Sequence, residues 1–563
     1  MKKPPCFWKH WRDKKFTFIL MKTKLWNFLV IFATIFCLYS FTPKKTSGKT
    51  NTASNQKQPL NIYFGDIHNH CNLTYGHGDM RDAFEAAKQQ LDFVSVTPHA
   101  MWPDMPGKDA PRLAWVIDYH IGAFKRLRQG GWEKYVAMTN EYNQDGKFVT
   151  FLSYECHSMK YGDHVAFNYR LDAPLVEASS VPDLKDKLKN EKAFVTPHHM
   201  GYQEGYRGYN WDFFKEDKTP FVEIYSRHGL AEEDLGDYPN LHDMGPRNFE
   251  GTMLYGLNQG YKFGVIGSTD QHAGYPGSYG DGLIAVVAPA NTREALWNAM
   301  EKRHVYCVTG DKIKLDFKIN NAIMGDVIQA KKRNISVNVE AQNFIDYVDI
   351  IKNGKRLQRI TAPFSNDEIK ITGDTIHAKI KLEFGWNREE APVHWLGNIR
   401  ISEGQILNVT PCFRGAAYTA PQQNKLAQGD THKTLVNKIL GKDKQKLEVE
   451  MFTSKNANTL TPATQAVILE VKMPRTAKLT TDFNGKQFSH TLEELLKGTY
   501  SHFMIGWLSE AVQFHRAAPV KAYTLNVNLT DNQPEKETDY YYVRVRQRDN
   551  NWAFSTAIWV ENK

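Results

Sequence analysis

Seven short apolar runs, separated by stretches of helical periodicity, dominate residues 61–310. The runs are Ile62–Gly65, Phe93–Thr97, Phe148–Tyr154, Phe194–Thr196, Phe221–Tyr225, Phe263–Gly267 and Leu283–Val287. Between them lie Asp82–Gln90, Pro111–Leu127, Pro182–Lys189, Phe249–Gln259 and Thr292–Lys302. Continuous apolar runs suit parallel strands buried on both faces. Their alternation with helices predicts an α/β fold, either a β/α barrel or a doubly wound sheet. From Asp311 onward the period changes to two. Ile335–Val339, Val348–Lys352 with an Asn353–Gly354 turn, Leu525–Leu529 and Tyr541–Arg546 alternate apolar with polar residues, and Asp549–Asn551 turns the chain into Ala553–Val560. These read as antiparallel hairpins of a β-sandwich-like region of one or two modules. The expected organisation is a leader and linker over 1–50, an α/β domain over 60–310 and a β-rich region over 311–563.

Charge supports the separate leader. The whole chain carries 71 Lys/Arg against 62 Asp/Glu, a formal +9. Residues 1–50 contain eleven of those bases and one acid, Asp13, so the remaining body has a net charge of −1. The excess that would suggest a nucleic-acid partner therefore belongs to a targeting segment, and no stable nucleic-acid complex is expected. Basic residues precede a twelve-residue apolar run, Phe28–Tyr39, too short for an ordinary membrane span and right for a secretory signal. The expectation is export to the periplasm or exterior, with membrane contact only through an uncleaved leader. Met21 is an alternative start, and Phe36 before Cys37 disfavours lipidation. Cys71, Cys156, Cys307 and Cys412 remain after the leader, without any Cys-x-x-Cys, which excludes a thiol zinc ribbon.

Thirteen of the twenty histidines lie between 61 and 310, and many follow the apolar runs. The ends of strands are where α/β folds place their sites. Ile62–Gly65 leads to His68-Asn-His70, and Phe93–Thr97 to His99. Glu155 ends the third run, and His164 opens the next segment. His198-His199 and Asp270-Gln-His272 follow later runs. Residues i and i+2 of an extended strand face the same way, so His-x-His and Asp-x-His can each aim two ligands at one metal. For His198 and His199 the same alternation predicts opposite directions, so one of them binds and His198 is chosen. Lone histidines more often pack than ligate, which is the reading for His120, His157, His242 and His304. Cys71 and Cys156 read as packing residues or a disulfide. Tyr202–Trp211 lines a pocket or packs as a lid.

The order His-x-His, His, Glu, His, His, Asp-x-His resembles the PHP (polymerase and histidinol phosphatase) metallophosphoesterases. It is most similar to an exported, uncharacterised branch that opens with Tyr-Phe-Gly-Asp-x-His-x-His and places Thr-Gly-Asp (Thr309–Asp311) after the last strand. The aromatic hairpin Tyr541–Val560 also fits that branch. The resemblance implies a distorted seven-stranded β/α barrel with two to three divalent ions, Zn, Mn or Fe. Its ligands would be His68, His70, His99, Glu155 as the bridging carboxylate, His164, His198, Asp270 and His272, with His77 (or Asp79) as a further one. The chain departs from the pattern at Cys71, Asn72 and Pro98.

The expected activity is a metal-dependent hydrolase, foremost a phosphoesterase attacking with a hydroxide shared by two cations. Arg227 and His228, at the end of Phe221–Tyr225, are candidates for binding an anionic group and protonating the leaving group, with His199 a second proton carrier. The substrate expected is an anionic small-molecule or polymeric ester. A carboxylic ester, lactone or amide is the alternative bond, and a non-catalytic glycan- or partner-binding protein the alternative class. The chain has neither a nucleotide-binding glycine loop nor a Gly-x-Ser-x-Gly elbow.

Overall fold

The computed structural model describes residues 59–110, 112–238, 245–416, 433–456 and 463–562. The leader, with Met21 and Cys37, and also His242 lie outside the described residues. Among the described residues no helix is long and apolar enough to cross a membrane.

Every apolar run of the first half forms strand. The elements are β1 (Asn61–Asp66), α1 (Met80–Lys88), β2 (Phe93–Val94), β3 (His99–Met101), α2 (Ala114–Arg126), α3 (Trp132–Tyr142), β4 (Val149–Thr150), β5 (Leu152–Cys156), β6 (His164–Asn168) and α4 (Val181–Lys187). Then follow β7 (Ala193–Pro197), β8 (Phe221–Ser226), β9 (Gly229–Leu230), α5 (Met253–Asn258), β10 (Gly264–Gly267), β11 (Leu283–Ala288), α6 (Arg293–Glu301) and β12 (Val305–Val308). Caps set the helix starts. Asp79 accepts from the Arg81 amide ahead of α1, and Thr292 from the Ala295 amide ahead of α6.

The strands are not uniformly parallel, and their ladders do not close into a seven-stranded barrel. β1–β2, β2–β4, β3–β5 and β8–β10 pair parallel, whereas β1–β11, β5–β6, β6–β7 and β11–β12 pair antiparallel. The result is three sheets in a mixed α/β arrangement. The physical reason lies in the connections. β5 to β6 is a short loop, too short for the crossover that parallel neighbours need. Burial on both faces, which the composition reported faithfully, does not distinguish the two directions. The three sheets nevertheless share an apolar centre, in which Phe167 and Phe194 stack on Trp297 of α6 at centroid distances of 5.9 and 4.0 Å.

One ladder runs across the sequence boundary near residue 310. β12 pairs with Trp552–Ser555, in register Tyr306 to Ser555 and Val308 to Ala553, so the last hairpin of the chain extends the sheet of β1 and β11. Asp311 of the Thr-Gly-Asp segment seals this junction. It is buried, and Tyr279 Oη and Gln547 Nε2 donate to its carboxylate at 2.7 and 2.6 Å. The expected period-two strands all form: Arg333–Glu340, Ile345–Lys352, Thr524–Asp531 and Thr538–Gln547. Asn353 and Gly354 both take positive φ (51° and 78°), as a two-residue hairpin of matching twist requires. The rest of the β-rich region builds two further sheets, around Thr375–Gly385 and around Val393–Ile401, whose inward residues share one apolar cluster.

A buried acid marks the contact of β9 with the C-terminal ladder. Glu232 accepts from Tyr542 Oη at 2.8 Å and lies 3.4 Å from Arg544. Burial pushes its pKa up to about 7, against the pull of Arg544. A carboxyl whose folded pKa is raised stabilises the fold below its unfolded pKa and loses that contribution as pH rises through 7. Glu232→Gln should therefore gain about 3 kcal/mol relative to the natural chain between pH 4.5 and 8. Arg544 keeps Glu233 at 2.7 Å, so the substitution strands no cation. Urea unfolding at several pH values checks this; parallel curves for the two proteins would refute it.

Candidate metal centre

The segment after β1 is fixed before any ligand is considered. Asp66 is fully buried and accepts from the amides of His68 (3.2 Å), Thr269 (3.2 Å) and Gly277 (2.9 Å) and from Thr269 Oγ1 (2.6 Å). Burial outweighs these bonds and raises its pKa to about 6. The Asp270 amide donates to the His68 carbonyl at 2.8 Å, and the His70 amide to that of Gln271, also at 2.8 Å. The His68–His70 and Asp270–His272 segments are thereby laced together, although 200 residues separate them in the chain.

Side chains then converge. His68 Nε2 and His70 Nε2 lie 3.2 Å apart. Asp270 Oδ1 is 3.4 Å from the first and 3.0 Å from the second, and Glu155 Oε2 is 3.8 and 3.5 Å away. Glu155 also meets His99 Nε2 at 3.0 Å and, through Oε1, His198 Nε2 at 3.0 Å and His157 Nδ1 at 3.2 Å. All of these residues are at most 5% exposed. Three ligand-type triads meet around Glu155: His68–His70–Glu155, His68–His198–Asp270 and His70–His99–His272. Two more adjoin them, His99–His120–His157 and Asp163–His198–His199.

Hydrogen bonding sets which nitrogens face the centre. His70 Nδ1 lies 2.6 Å from the Thr97 carbonyl, which can only accept, so Nδ1 carries the proton and Nε2 offers its lone pair. His68 Nδ1 faces Glu223 Oε2 at 2.9 Å, with the same consequence in its neutral form. His272 and His120 likewise turn Nδ1 to the carbonyls of Asp270 (3.1 Å) and Val116 (2.8 Å). Two imidazole lone pairs and two carboxylate oxygens thus crowd one buried point. Without a cation they repel. A donor set of imidazoles and carboxylates, with these four imidazoles oriented by their Nδ1 bonds, could hold a metal ion.

The titration directions carry the same signature. Burial opposes ionisation of Glu155 and Asp270, yet His157, His99 and His198 hold the first well below the usual carboxylate range, and His68 and His228 hold the second there. Burial opposes a charged His68 too, but Asp270 and Glu223 raise its pKa well above normal: a proton occupies the place that suits a cation. His70, His99, His199 and His272 are lowered by burial, and His120 to about 3, so these rings are neutral and able to ligate near pH 7.

Several expected residues stand elsewhere, or stand differently. His198 and His199 both face the centre. β7 ends at Pro197, and His199 takes φ +53°, so strand alternation no longer separates the two rings; His199 Nε2 lies 3.8 Å from both Asp163 and Asp270. His77 is buried beside the site, its amide bonded to the His272 carbonyl. Asp79 is exposed and caps α1. His164 begins β6, with Nδ1 on the Gly162 carbonyl at 2.8 Å and its ring edge-on to Tyr209. Arg227 pairs with Asp281 at 3.1 Å and is not brought to the cavity described below, whereas His228 Nε2 lies 3.2 Å from Asp270. Cys71 and Cys156 pack in one apolar cluster as thiols, not as a disulfide. His304 pairs with Asp326 at 3.2 Å, away from the centre, as its structural reading implied.

The reading from sequence assigned His120 and His157 to packing, whereas both join a ligand-type group with His99, and it passed over Asp163, Arg207 and Glu223. His157 had a signal, because Glu155-x-His157 repeats the spacing used for His68 and His70. Glu223 had another, as a lone acid inside an apolar run. His120 faces the centre from α2, and Arg207 from a loop at φ +69°; neither position follows from a local pattern.

A cavity of about 250 Å³ opens over the cluster. Glu155, Asp270, His99, His199, His228 and His272 lie at its base, and Tyr75, Trp102, Leu113, Val116, Met159 and Tyr206 form its walls. Arg207 sits between the two groups. Its Nε donates to Asp163 Oδ2 at 2.7 Å, and its Nη2 approaches His157 at 2.8 Å.

A family model described as a protein of unknown function (DUF3604) matches residues 278–336, from the loop after His272 into the first β-rich strands. An uncharacterised protein of Chlamydia pneumoniae is 24% identical over 256 residues, 40% of each chain. One of Chlamydia trachomatis is 28% identical over 194 residues, 31% of each. The chain thus spans less than half the length of these curated relatives. Among solved structures, a two-domain protein from Bacteroides vulgatus aligns with 77% of this chain and 95% of its own, at 10% identity and a TM-score of 0.30. It is described as containing a predicted PHP-like metal-dependent phosphoesterase.

Proposed function

We propose that the chain is a metal-dependent hydrolase of phosphate esters holding two to three divalent ions of the Zn, Mn or Fe type. One observation carries the reading: Nε2 of His68 and His70 and the carboxylate oxygens of Glu155 and Asp270 meet at one buried point, where a proton on His68 holds the place of a cation. Cations bound there would lower the pKa of a coordinated water and draw charge from the oxygens of the ester. Glu155, which reaches one group of histidines through each oxygen, would hold adjacent ions. Arg207 supports phosphorus over carbon, since it places a guanidinium at the edge of the cavity for a non-bridging oxygen.

In the reaction one water is consumed. Its oxygen bonds to phosphorus, the bond from phosphorus to the alcohol oxygen breaks, and a proton passes to the leaving alkoxide. His228 is the better placed carrier for that proton, because it is held 3.2 Å from the Asp270 carboxylate at the cavity base. His199 is the weaker one, since burial and His198 keep it neutral. Arg227 is spent on Asp281.

Elemental analysis of the purified chain, alongside hydrolysis of phosphomonoesters, phosphodiesters and carboxylic esters, tests this. Two or more transition-metal ions per chain with turnover of a phosphate ester are expected. Metal binding with turnover of carboxylic esters alone would move the reading to that bond. A chain that binds no metal would end it.

A further inference from the structure

Resting on that reading, the cavity points to a particular class of substrate. We infer that the ester group carries an aromatic or branched apolar alcohol and no second anionic group.

The argument starts from what stands beyond the reacting site. From the base outward, the cavity passes to rings and aliphatic side chains. Tyr75 stacks on His120 at 4.3 Å and meets His99 edge-on at 5.1 Å. Trp102 packs against His120 at 5.3 Å and His157 at 5.1 Å. Leu113 and Val116, at the start of α2, supply the facing aliphatic wall, and Tyr206, half exposed, completes it. An alcohol leaving from the metal centre must lie along this wall.

Charge narrows the choice further. Arg207 is the only Lys or Arg lining the cavity among the described residues, and Asp163 and His157 already hold two of its three nitrogens. What remains suits one phosphoryl group. A nucleoside diphosphate, a bisphosphate or an acidic sugar would bring a second anion to a wall of Leu, Val, Tyr and Trp, where nothing offsets its desolvation. Size agrees. About 250 Å³ admits a single ring with its ester group and excludes a polymer segment from the interior.

The test compares alcohols of similar leaving ability, so that chemistry and recognition separate. Metal-loaded full-length protein is assayed with benzyl phosphate and 2-hydroxyethyl phosphate, and kcat/KM for the benzyl ester should be greater by roughly 30-fold. Calorimetry with benzylphosphonate and methylphosphonate, on both loaded and metal-free protein, should show the same order in affinity without any turnover. Val116→Lys, at a half-buried position on α2, should cut the benzyl preference at least fivefold and leave methylphosphonate binding as tight or tighter. Leu113→Lys repeats the change from the neighbouring position in case the first variant folds poorly. Equal or better use of the hydroxyethyl ester would overturn this inference while the phosphoesterase reading stood. A benzyl preference unmoved by both lysines would also overturn it. Failure to hydrolyse any phosphate ester would overturn the phosphoesterase reading instead, and phosphonate binding would then judge the cavity alone.

Discussion

His68→Ala together with His70→Ala is expected to remove most bound metal and to lower hydrolysis by at least about a thousandfold. These rings supply two of the four acceptors that meet at the centre, and both are locked by their other nitrogen, to Glu223 and to the Thr97 carbonyl. The variant also separates ligation from folding. In the natural chain, a chelator should lower the thermal midpoint, since metal bound to the folded state stabilises it. In the variant little metal is bound, so the chelator should have little effect. A variant that kept both its metal and its turnover would sink the assignment. His304→Ala is the control, as that ring pairs with Asp326 outside the site.

Asp66→Ala should be the most damaging single change outside the ligands. Its carboxylate is the common acceptor for three backbone amides and one hydroxyl, drawn from His68, Thr269 and Gly277. Each buried donor left unsatisfied costs about 1–3 kcal/mol, and water entering the vacated space recovers part of that. A loss of about 4 kcal/mol is expected in urea unfolding. The loss should reach function as well, since the same carboxylate holds the Thr269–Asp270 segment against the His68–His70 segment. Metal affinity should fall by about tenfold to a hundredfold, as when groups that orient metal ligands are removed. A drop below about 1 kcal/mol with unchanged metal affinity would show that the two segments are held by other contacts.

Much of the site was legible because the chemistry of ligands is written in residue types. His68, His70, His99, Glu155, His198, Asp270 and His272 all follow apolar runs, and the structure draws them together. The errors have physical causes. The opposite facing of His198 and His199 assumed strand backbone, but the strand stops at Pro197 and a left-handed residue brings the second ring back. Arg227 follows the right strand yet is neutralised by Asp281, an ion pair across 54 residues that no local pattern announces. The arginine at the cavity is Arg207, on an irregular loop. His157 was readable by the same i, i+2 argument as the first pair, and His120 was not, since a buried histidine on an amphipathic helix looks like any other core residue.

By itself the sequence determined which segments are strands, where the period changes from buried runs to alternating hairpins, and which side chains could take a metal. Those properties depend on neighbours a few residues apart. The tertiary structure alone decided strand direction, the sharing of one sheet between β12 and the final hairpin, and the pairing of each histidine nitrogen with a distant carbonyl or carboxylate. These depend on contacts spanning up to hundreds of residues, where burial selects a geometry that composition permits without specifying.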